Sequence, residues 1–572
     1  MCKLLETVFE KRGYTDEFLY SIEEYHHRDL LSVQDMIHEL KVIHDNQDLM
    51  VILSDFDMDG VMCGTSGFAG FAELGFNVAL FIPDTREGYG FDELTIKRLL
   101  AQYPDAKAII TADVGITCYA GIDYAKQYGI KVLVTDHHIE KPYPMGKLRA
   151  DVTVDPMRMD ETYEHPAICG AYVLYQVMMN YAKYYGTVID QEQIRRLVVF
   201  AGIGTISDSM PLLYENRKIV RDSISLLRVL YSSNDMFVVQ AIRGCDIYRR
   251  AFLGLFETIH LLSNMGKLPK GDASIDEDFY GYYLAPMFNS LKRMEGDVTH
   301  GFAVFFGPNP YEEASYLFQL NEERKKMVVK YLAEIPNRPQ PYEDVNIFFT
   351  DAPGGICGLL AQRLIERTGL PTFVLRTVGH TYKGSGRAPL WYPALNRCIP
   401  AGFYLAGHNP AFGCGFTDGR ELKAFVAFLK KDVSDRIAEL GPSYFENLKP
   451  VYDIVIDTSG HGDTTIDILA FVEYVHDLHR YLPFGKGFEK PRILLKFYAN
   501  EGTFSVMGSL KQHMKVVLHY GFTVLLFNQS ALLDKLKNST GEICVEGSLD
   551  ISMWNDSHTV NFIGTVIESE DA

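Results

Sequence analysis

Between residues 49 and 155, continuous apolar runs alternate with amphipathic segments. The runs are rich in β-branched residues, which is typical of strands buried on both faces. They are "LMVILS" (49–54), "VALFIP" (78–83), "AKAIITAD" (106–113), "KVLVTD" (131–136) and "VTVD" (152–155). Segments between them, such as "DELTIKRLLAQY" (92–103), repeat apolar residues at helical spacing. This alternation predicts βαβ units and a doubly wound parallel sheet, so the predicted fold class is α/β.

The pattern changes several times along the rest of the chain. Residues 170–335 have mostly helical periodicity, and the proline-rich "IPNRPQPYED" (335–344) predicts a linker. A second α/β pattern begins at "VNIFFTD" (345–351), and the runs "RILLKFYA", "TFSVMGS" and "FTVLLFN" predict a small β-barrel near the C-terminus. The predicted parts are an N-terminal helical segment, a first α/β domain, a helical connector, a second α/β domain, and a linker with a barrel: 1–48, 49–240, 241–344, 345–440 and 441–572.

The composition is that of a folded protein with several domains. The 572 residues are 47% hydrophobic, and such a length exceeds what one core can bury. No apolar run approaches the roughly 20 residues of a membrane span, and the N-terminus has no signal-peptide core. The nine cysteines are scattered and include no Cys-x-x-Cys pair, which favours reduced thiols over disulfides or zinc. We therefore expect a cytoplasmic protein with no membrane contact.

The net charge of −19 predicts repulsion from nucleic-acid phosphates, although binding depends on local patches. One such patch lies between residues 482 and 515, where six basic residues accompany Phe488, Phe497 and Tyr498. The six are Lys486, Lys490, Arg492, Lys496, Lys511 and Lys515. Basic grooves with aromatic side chains bind single strands, at about 1–3 kcal/mol per stacked base. Alternating aromatic residues are also typical of a barrel core, so both interpretations stay open.

The stretch "SDFDMDGVMCGTS" (54–66) carries Asp55, Asp57 and Asp59 at alternate positions. Carboxylates about 5 Å apart repel one another by roughly 3 kcal/mol per pair at an effective dielectric near 20, so the pattern predicts a bound cation. Its first half fits a calcium-binding loop, but that loop needs Glu at the twelfth position, where Ser66 stands. It also needs a preceding helix, and here a strand precedes. The calcium loop is therefore a minor alternative.

Similar residues follow the other predicted strands: Asp113, Asp136 with His137 and His138, and Asp155, while Asp208 ends a Gly-rich apolar run. The carboxyl ends of parallel strands meet at one edge of a sheet. Carboxylates with imidazoles suit manganese or magnesium better than zinc, and paired ions about 3.5–4 Å apart are typical of phosphate ester hydrolysis. A single Asp at a strand end is more often a helix N-cap. Their joint occurrence favours a metal site.

The motifs "DFDMDG", "TADVG", "TDHH" and "GTISDSMPL" together resemble the four signature motifs of the DHH phosphoesterases. Segments further along the chain resemble the RecJ branch of that family, the single-strand-specific DNA exonucleases. They are "IPDTREGYG" (82–90), "CGAYVLYQV" (169–177), "GGICGLLAQRLIERTGLPTFVL" (354–375), "GSGR" (384–387), "AGHNPAFGCGF" (406–416) and "LPFGKGFEKP" (482–491). The resemblance implies a DHH catalytic domain, a helical connector, a DHH-associated substrate domain and a C-terminal OB-like barrel.

The resemblance also implies roles for individual residues. The metal ligands would be Asp57, Asp59, Asp113, His137 and Asp208, with Asp55 as an extra ligand or a support for the others. Asp113 would bridge two ions, His138 would contact the scissile phosphate, and Asp136 would orient His137. The substrate contacts would be Arg86, Arg293, Ser385, Arg387 and His408.

The activity that the resemblance implies is metal-dependent hydrolysis of single-stranded DNA from the 5′ end, with release of 5′-mononucleotides. Two divalent ions are expected, Mn²⁺ in preference to Mg²⁺. A single-strand-binding protein or a helicase is an expected further partner, and the protein is expected to be a monomer. RecJ-like chains carry Arg where this chain has Met287, and "AGHNPAFGCGF" departs from the family's Gly-Gly-His pattern, so strict 5′ polarity stays open. The sequence also leaves open whether RNA is a substrate. The alternatives are a phosphodiesterase for short RNA oligonucleotides or cyclic dinucleotides, and a scaffold without activity.

Overall fold

The computed structural model describes most of the chain, which divides into two compact units. The described residues are 1–22, 29–83, 91–232, 244–269, 271–335, 345–392, 403–408, 411–446, 448, 450–458, 465–508, 511–554 and 557–567. The larger unit comprises His27–Met210 and Lys218–Asn447. The smaller unit comprises Met1–His26, Pro211–Arg217 and Leu448–Ala572.

The elements of the first part of the chain follow the predicted alternation. They are α1 (Lys3–Lys11), α2 (Asp16–Ser21), α3 (Val33–Asn46), β1 (Leu49–Ser54), α4 (Met58–Glu73), β2 (Val78–Phe81), α5 (Glu93–Gln102), β3 (Ala106–Ala112), α6 (Tyr119–Gln127), β4 (Lys131–Thr135), β5 (Val152–Val154), α7 (Gly170–Tyr185), α8 (Val188–Arg196) and α9 (Val198–Ser207). The first sheet has the order β2-β1-β3-β4-β5, and all of its strands are parallel.

Helices cover both faces of this first sheet. Val51 and Leu53 share a core with residues of α5 and α6, whereas Ile52 faces α4 and α7. Strands covered on both faces need apolar side chains at every position, which explains the continuous apolar runs. The predicted doubly wound α/β fold is confirmed.

The register aligns the carboxyl ends of the central strands. Ser54 at the end of β1 pairs with Ala112 at the end of β3, and Asp55 N donates to Ala112 O at 3.0 Å. Thr135 at the end of β4 pairs with Val154 at the end of β5. Each of these strands is followed at once by an aspartate, so the register places the four aspartates along one edge of the sheet.

The connector is helical, as predicted. Its helices are α10 (Tyr214–Ser232), α11 (Asp246–Asn264), α12 (Glu277–Phe279), α13 (Ala285–Phe288), α14 (Ser290–Arg293), α15 (Thr299–Phe306) and α16 (Pro310–Glu334), with a π-helical turn over Tyr280–Leu284. Most of the predicted linker, residues 336–344, lies outside the described residues.

The second sheet of the larger unit is mixed. Its strands, with the helices among them, are β6 (Asn346–Phe349), α17 (Gly354–Thr368), β7 (Thr372–Val378), β8 (Thr381–Arg387), β9 (Tyr404–His408), β10 (Ala411–Phe416), α18 (Gly419–Leu440) and α19 (Pro442–Glu446). The strand order is β6-β7-β8-β10-β9, and only β6 and β7 are parallel. Residues of α17 share a core with Val374, and residues of α18 share one with Phe373, so helices cover both faces here too.

The smaller unit is built on a seven-stranded mixed sheet. Its elements are β11 (Ile454–Asp457), α20 (Ile468–His479), β12 (Ile493–Tyr498), β13 (Thr503–Met507), β14 (His513–Val517), β15 (Thr523–Leu526), α21 (Leu533–Lys537), β16 (Glu542–Trp554) and β17 (Ser557–Ile567). The order is β11-β12-β16-β17-β15-β14-β13. Leu5, Val8 and Phe9 of α1 lie in the same core as the strands.

The division into units differs from the predicted N-terminal boundary. Residues 1–48 were predicted as one helical segment, but α1 belongs to the smaller unit and α3 to the larger one. The amphipathic face of α1 indicates that it is buried without indicating what covers it. The segment Pro211–Arg217 also belongs to the smaller unit, where the buried Arg217 donates to Tyr481 O at 2.7 Å. The other predicted boundaries stay predictions.

Two of the three aromatic residues in the basic stretch are core residues. Phe488 and Phe497 are buried, whereas Tyr498 is 39% exposed. Arg492 pairs with Glu546 and Lys496 with Glu542, which neutralises part of the local positive charge. The stacking interpretation therefore fails for the two phenylalanines. Among the described residues, no helix is long and apolar enough to cross a membrane.

Candidate metal centre

The first turn of α4 places two carboxylates at the edge of the first sheet. Asp57 is the N-cap of α4 and accepts from Gly60 N at 3.2 Å. Asp59 accepts from the backbone N–H groups of Gly170 at 2.7 Å and Ala171 at 3.3 Å, where α7 begins. The positive ends of two helices therefore stabilise these carboxylates. Asp57 is a helix cap as well as a predicted ligand.

Gly60 lets α4 begin directly over Asp55. A Cβ atom on Gly60 would lie 2.5 Å from the Asp55 carbonyl carbon, closer than any side chain tolerates. Asp55 itself is buried, and its Oδ1 accepts from Phe56 N at 2.8 Å. Because Gly60 has no side chain, the first turn of α4 can pack directly against the backbone of Asp55.

Asp113 is buried where β3 ends. Its φ of 64° lies in the left-handed region, which is uncommon for a residue with a side chain and is typical of functional sites. Its Oδ1 has no hydrogen bond, although it lies 3.1 Å from His137 Nε2. A buried carboxylate oxygen without a donor needs another positive partner.

Backbone hydrogen bonding determines which nitrogen of His137 faces the carboxylates. Nδ1 donates to Ile168 O at 2.9 Å, so the lone pair of the neutral ring is on Nε2. Nε2 lies 3.1 Å from Asp113 Oδ1, 3.7 Å from Asp208 Oδ2 and 3.9 Å from Asp59 Oδ2. This is the arrangement of metal-binding histidines whose second nitrogen is held by a carbonyl.

The electrostatics of this cluster favour a cation. Burial and the neighbouring Asp59 raise the pKa of Asp113 well above its usual value, and burial also raises the pKa of Asp59. Asp208, whose side chain is 38% exposed, has its pKa raised to about 6 by partial burial and the charge of Asp59. Burial opposes the charge on His137, yet Asp113 and the other carboxylates raise its pKa well above the usual value. His137 is the only basic side chain in this group of carboxylates. A divalent cation would balance more of their negative charge than one proton on His137 does.

Among the residues that the structure describes, three groups of side chains have ligand atoms close enough to hold a metal ion. Within each group the atoms lie within 4.8 Å of one another. The groups are Asp55 with Asp57 and Asp113, Asp59 with His137 and Asp208, and Asp113 with His137 and His138. All six predicted metal ligands occur in them, and Asp113 occurs in two. Hard oxygen and imidazole donors suit Mn²⁺ or Mg²⁺, so the residues present fit the expected metal.

Asp136 has a different partner from the one expected. Its Oδ1 accepts from His138 Nδ1 at 2.7 Å and from His137 N at 2.7 Å, and its Oδ2 accepts from Ile116 N at 2.9 Å. The carboxylate therefore orients the ring of His138, whereas Ile168 orients that of His137. Burial would raise the pKa of Asp136, but the hydrogen bond from His138 holds it below its usual value. The prediction that Asp136 orients the His137 ring is wrong, because Asp136 Oδ1 accepts from His138 Nδ1, whereas Ile168 O accepts from His137 Nδ1.

A cleft of about 330 Å³ opens onto the metal centre. Three predicted ligands, two residues next to them, three residues of the connector and one residue of α17 line it: Asp57, Asp59, Asp208, Met58, Ser207, Asn289, Lys292, Arg293 and Gly355. Arg293 is thus close to the predicted ligands. Asn289, which the sequence did not single out, accepts from Met58 N at 2.9 Å and holds the start of α4. The only sequence signal for Asn289 is its position in "APMFNSLKRM" (285–294), between Met287 and Arg293, which the resemblance had singled out.

The remaining predicted substrate residues are only partly described. Ser385 and Arg387 lie on β8, and the guanidinium of Arg387 lies against Gly358 of α17. His408 is in β9, and its side chain is outside the described residues, as is all of Arg86. Met287, at the position where an Arg was expected, is fully buried. That position faces the core of the connector.

Family comparisons match two regions of the chain. The sequence model of the DHH family, N-terminal domain, matches residues 49–203, and that of the RecJ OB domain matches residues 466–564. The first region contains the first sheet with its aspartates, and the second contains most of the seven-stranded sheet of the smaller unit, where the sequence predicted a barrel.

Individual relatives agree with this family. The chain is 26% identical to the single-stranded-DNA-specific exonuclease RecJ of Bacillus subtilis, covering 97% of this chain and 66% of the relative. It is 27% identical to the protein of the same name from Salmonella typhimurium, covering 59% of this chain and 57% of the relative. The chain thus spans about two thirds or less of the length of these relatives. The crystal structure of Thermus thermophilus RecJ in complex with Mn²⁺ has a similar fold, with a TM-score of 0.70 at 18% identity, covering all of this chain and 76% of that one.

Proposed function

We propose that this protein is a metal-dependent exonuclease that hydrolyses single-stranded DNA from the 5′ end and releases 5′-mononucleotides. The observation that carries the proposal is the convergence of six predicted ligands on one sheet edge, in groups whose ligand atoms lie within 4.8 Å. The relatives named as single-stranded-DNA-specific exonucleases support the substrate class.

The donor set supports two divalent ions. Asp113 shares one group of ligand atoms with Asp55 and Asp57 and another with His137 and His138, so it would be suited to bind both ions. Bound ions of this kind supply hydroxide near neutral pH and stabilise the charge on attacking and leaving oxygens. We propose Mn²⁺ as the preferred ion and Mg²⁺ as a substitute.

The protein's own residues then bind and orient the strand. Asp136 holds the Nδ1 proton of His138, which leaves His138 Nε2 to contact the scissile phosphate. Arg293 in the adjoining cleft binds a phosphate of the same strand, and its guanidinium forms paired hydrogen bonds with phosphate oxygens. The OB domain of the smaller unit also binds the strand.

Hydrolysis of short RNA oligonucleotides or cyclic dinucleotides is the alternative. The described helical connector and the RecJ OB domain favour a long single strand, because a dinucleotide uses neither.

The test is digestion of single-stranded DNA labelled at the 5′ or the 3′ end, beside a matched RNA strand and a cyclic dinucleotide, each with Mn²⁺. We expect the 5′-labelled strand to yield labelled mononucleotide at once, while the 3′-labelled strand shortens gradually. Rapid turnover of the dinucleotide with an intact DNA strand would favour the alternative. A wild-type protein inert on every strand would refute the proposal.

A further inference from the structure

Asp208 differs from other predicted ligands in how its side chain is held. Two backbone N–H groups donate to the carboxylate of Asp59, and Ile168 O accepts from the ring of His137. Within the part of the chain that the structure describes, no group donates a hydrogen bond to the Asp208 carboxylate, which lies 3.7 Å from His137 Nε2. The position of this carboxylate therefore depends on the backbone on either side of it.

Helix α9 ends just before Asp208 in a way that strains the next residue. Ser209 N donates to Ile206 O at 3.1 Å, and the following N–H donates to Thr205 O at 3.0 Å, which is the pattern of a helix end where glycine is usual. Ser209 has a φ of 55° there, in the left-handed region. A residue with a side chain keeps this conformation only where the surrounding structure holds it. The chain that follows Ser209 therefore contributes to fixing Asp208.

That following segment, Pro211–Arg217, belongs to the smaller unit, although the chain before it belongs to the larger one. Leu212 is buried, and its N donates to Lys486 O at 2.7 Å. Lys486 lies in a tight turn that is closed by two hydrogen bonds between Gly485 and Phe488, at 3.0 and 2.9 Å. A Cβ atom on Gly485 would lie 2.8 Å from Leu212 Cδ1, so this turn lies directly against the segment.

Arg217 holds the end of the segment. Its side chain is fully buried, and its guanidinium donates to Tyr481 O at 2.7 Å and to Pro483 O. The guanidinium carbon also lies 4.6 Å from the centre of the Phe488 ring. Hydrogen bonds from a charged donor are roughly twice as strong as those between neutral groups. Arg217 therefore fixes the segment to the turn that contains Phe488.

The distance along the chain from this segment to the metal centre is short. Only Ser209 and Met210 separate Asp208 from Pro211. Each residue of an extended chain spans at most about 3.6 Å, so the backbone of Asp208 cannot move far from a fixed Pro211.

We propose that Arg217 is a positioning residue for the metal centre. By holding Pro211–Arg217 in place, it fixes the backbone after Asp208 and so determines where this carboxylate meets Asp59 and His137. The turn at residues 484–488 acts on metal binding in the same way, through the chain. The inference rests on the proposed function, because it takes Asp208 as a ligand of a bound ion.

The experiment measures Mn²⁺ affinity by calorimetry in Arg217→Met, which keeps much of the apolar stem but removes every donor. Residues that support a metal ligand are worth about 10- to 100-fold in metal affinity. We expect Arg217→Met to weaken Mn²⁺ binding by about tenfold or more. Arg217→Lys keeps the charge and one donor group, so it should recover part of the affinity.

Arg228→Met is the matched control. Arg228 also lies in α10, and its guanidinium also donates to two carbonyl oxygens, of Ile275 at 2.8 Å and Ala273 at 3.3 Å. All three residues belong to the larger unit. The loss of these bonds should lower the thermal midpoint and leave Mn²⁺ affinity near that of wild type.

A double-mutant cycle separates positioning from a general loss of stability. In Asp208→Ala the ligand is already lost, so adding Arg217→Met should weaken Mn²⁺ binding no further. In Asp55→Asn, which changes a different group of ligand atoms, adding Arg217→Met should cost about the same factor as in wild type. Equal factors in both backgrounds would overturn the inference. Wild-type Mn²⁺ affinity in Arg217→Met, or an equal loss in Arg228→Met, would overturn it too.

Gly485→Ala tests the same link if Arg217→Met does not fold. Its methyl group displaces Leu212, so Mn²⁺ binding should weaken here as well. Gly541→Ala, whose Cβ atom has nothing within 4 Å, should bind Mn²⁺ like wild type. Wild-type affinity in Gly485→Ala would contradict the proposed role of the turn and of the segment that it holds.

Mn²⁺ binding and strand cleavage separate this inference from the proposed function. If wild type binds Mn²⁺ but cleaves no strand, the proposed function fails, while the inference stands if Arg217→Met binds Mn²⁺ more weakly. If wild type cleaves and Arg217→Met keeps the wild-type affinity, only the inference fails. A wild-type protein that binds no Mn²⁺ would refute both.

Discussion

His137 and His138 are neighbours in the sequence but are held by different acceptors. Ile168 O holds Nδ1 of the first, and Asp136 Oδ1 holds Nδ1 of the second. A ring held by a carbonyl keeps its other nitrogen available to a metal, whereas a ring held by a carboxylate becomes more basic. The pKa of His138 is raised in this way by Asp136, although burial opposes the shift. The two residues are thus prepared for different tasks.

Asp136→Asn should therefore impair turnover more than metal binding. The amide offers one acceptor oxygen in place of two, so His138 loses its fixed orientation while His137 keeps its bond to Ile168. Residues that support an active-site side chain in this way are worth about 10- to 100-fold. We expect kcat on single-stranded DNA to fall by that factor, with Mn²⁺ affinity in calorimetry changed by less than about threefold. Loss of Mn²⁺ binding equal to that of Asp59→Asn would contradict this division of roles.

Asp155 is a buried carboxyl that the proposed chemistry does not use. Its Oδ1 accepts from Met157 N at 2.6 Å, and its Oδ2 has no hydrogen bond. Burial raises the pKa of Asp155 to about 8, and the charge of Asp136 adds to the shift. The folded protein thus holds this proton more tightly than the unfolded chain, whose Asp has a pKa near 4 (about 3.9). The stability that comes from this retained proton is fully present below a pH of about 3.9, the pKa in the unfolded chain, and is lost as the pH rises towards 8.

Asp155→Asn should stabilise the metal-free protein increasingly as the pH rises. Asparagine keeps the acceptor for Met157 N and cannot ionise, so the cost of the buried charge disappears. We expect the difference in thermal midpoint between variant and wild type to be larger at pH 8 than at pH 5. Asp160→Asn is the control, because the Asp160 side chain is 62% exposed. Equal differences at both pH values for Asp155→Asn would show that the carboxyl is not buried as described.

The sequence predicted which residues meet, but not how they pair. Asp113 and His137 could be predicted because their residue types at strand ends are typical of metal sites. The different hydrogen-bond acceptors of the His137 and His138 rings could not be predicted, since the acceptor for His137 is Ile168 O, 31 positions further along the chain.

At the scale of elements, the centre depends on how closely β1 and α4 approach. The register of β1 against β3 aligns Asp55 with Asp113, and Gly60 allows the first turn of α4 to lie on Asp55. Continuous apolar runs predicted the strands and hence the shared edge. The close approach could not be predicted, because a glycine in a helix is usually only a weak point.

Gly60→Ala should disturb this junction. Alanine favours a helix by about 1 kcal/mol over glycine, but its Cβ atom would lie 2.5 Å from a backbone carbon that cannot rotate away. Overpacking costs about 1–3 kcal/mol, so the clash outweighs the gain. We expect a lower free energy of unfolding in urea and weaker Mn²⁺ binding, because Asp55 and Asp57 move.

Gly541→Ala is the matched control for that substitution. A Cβ atom there has nothing within 4 Å, so stability and Mn²⁺ binding should both stay near wild type. Wild-type Mn²⁺ affinity in Gly60→Ala would mean that the β1–α4 junction does not position the ligands.

At the scale of the whole molecule, the net charge of −19 coexists with two basic residues, Lys292 and Arg293, in the cleft at the metal centre. The overall charge predicts weak attraction of nucleic acid, so binding must depend on local charge. The sequence instead indicated a basic stretch in the smaller unit. There, ion pairs with glutamates neutralise part of the positive charge, and two of the three aromatic side chains are buried. The sequence also did not predict that three separate segments form the smaller unit. An amphipathic pattern indicates that a segment is buried, but not which other segment covers it.

The most direct test of the proposed metal-dependent exonuclease activity is mononucleotide release from single-stranded DNA as Mn²⁺ is titrated, for wild type and Asp113→Asn. Asp105→Asn is the control, because Asp105 directly precedes the opposite end of strand β3 and is exposed. We expect no release without metal, saturable release with it, and a loss of more than about 100-fold in Asp113→Asn, because supporting residues alone are worth about 10- to 100-fold. Asp105→Asn should match wild type. Release by Asp113→Asn at the wild-type rate, or none from wild type at any Mn²⁺ concentration, would contradict the account.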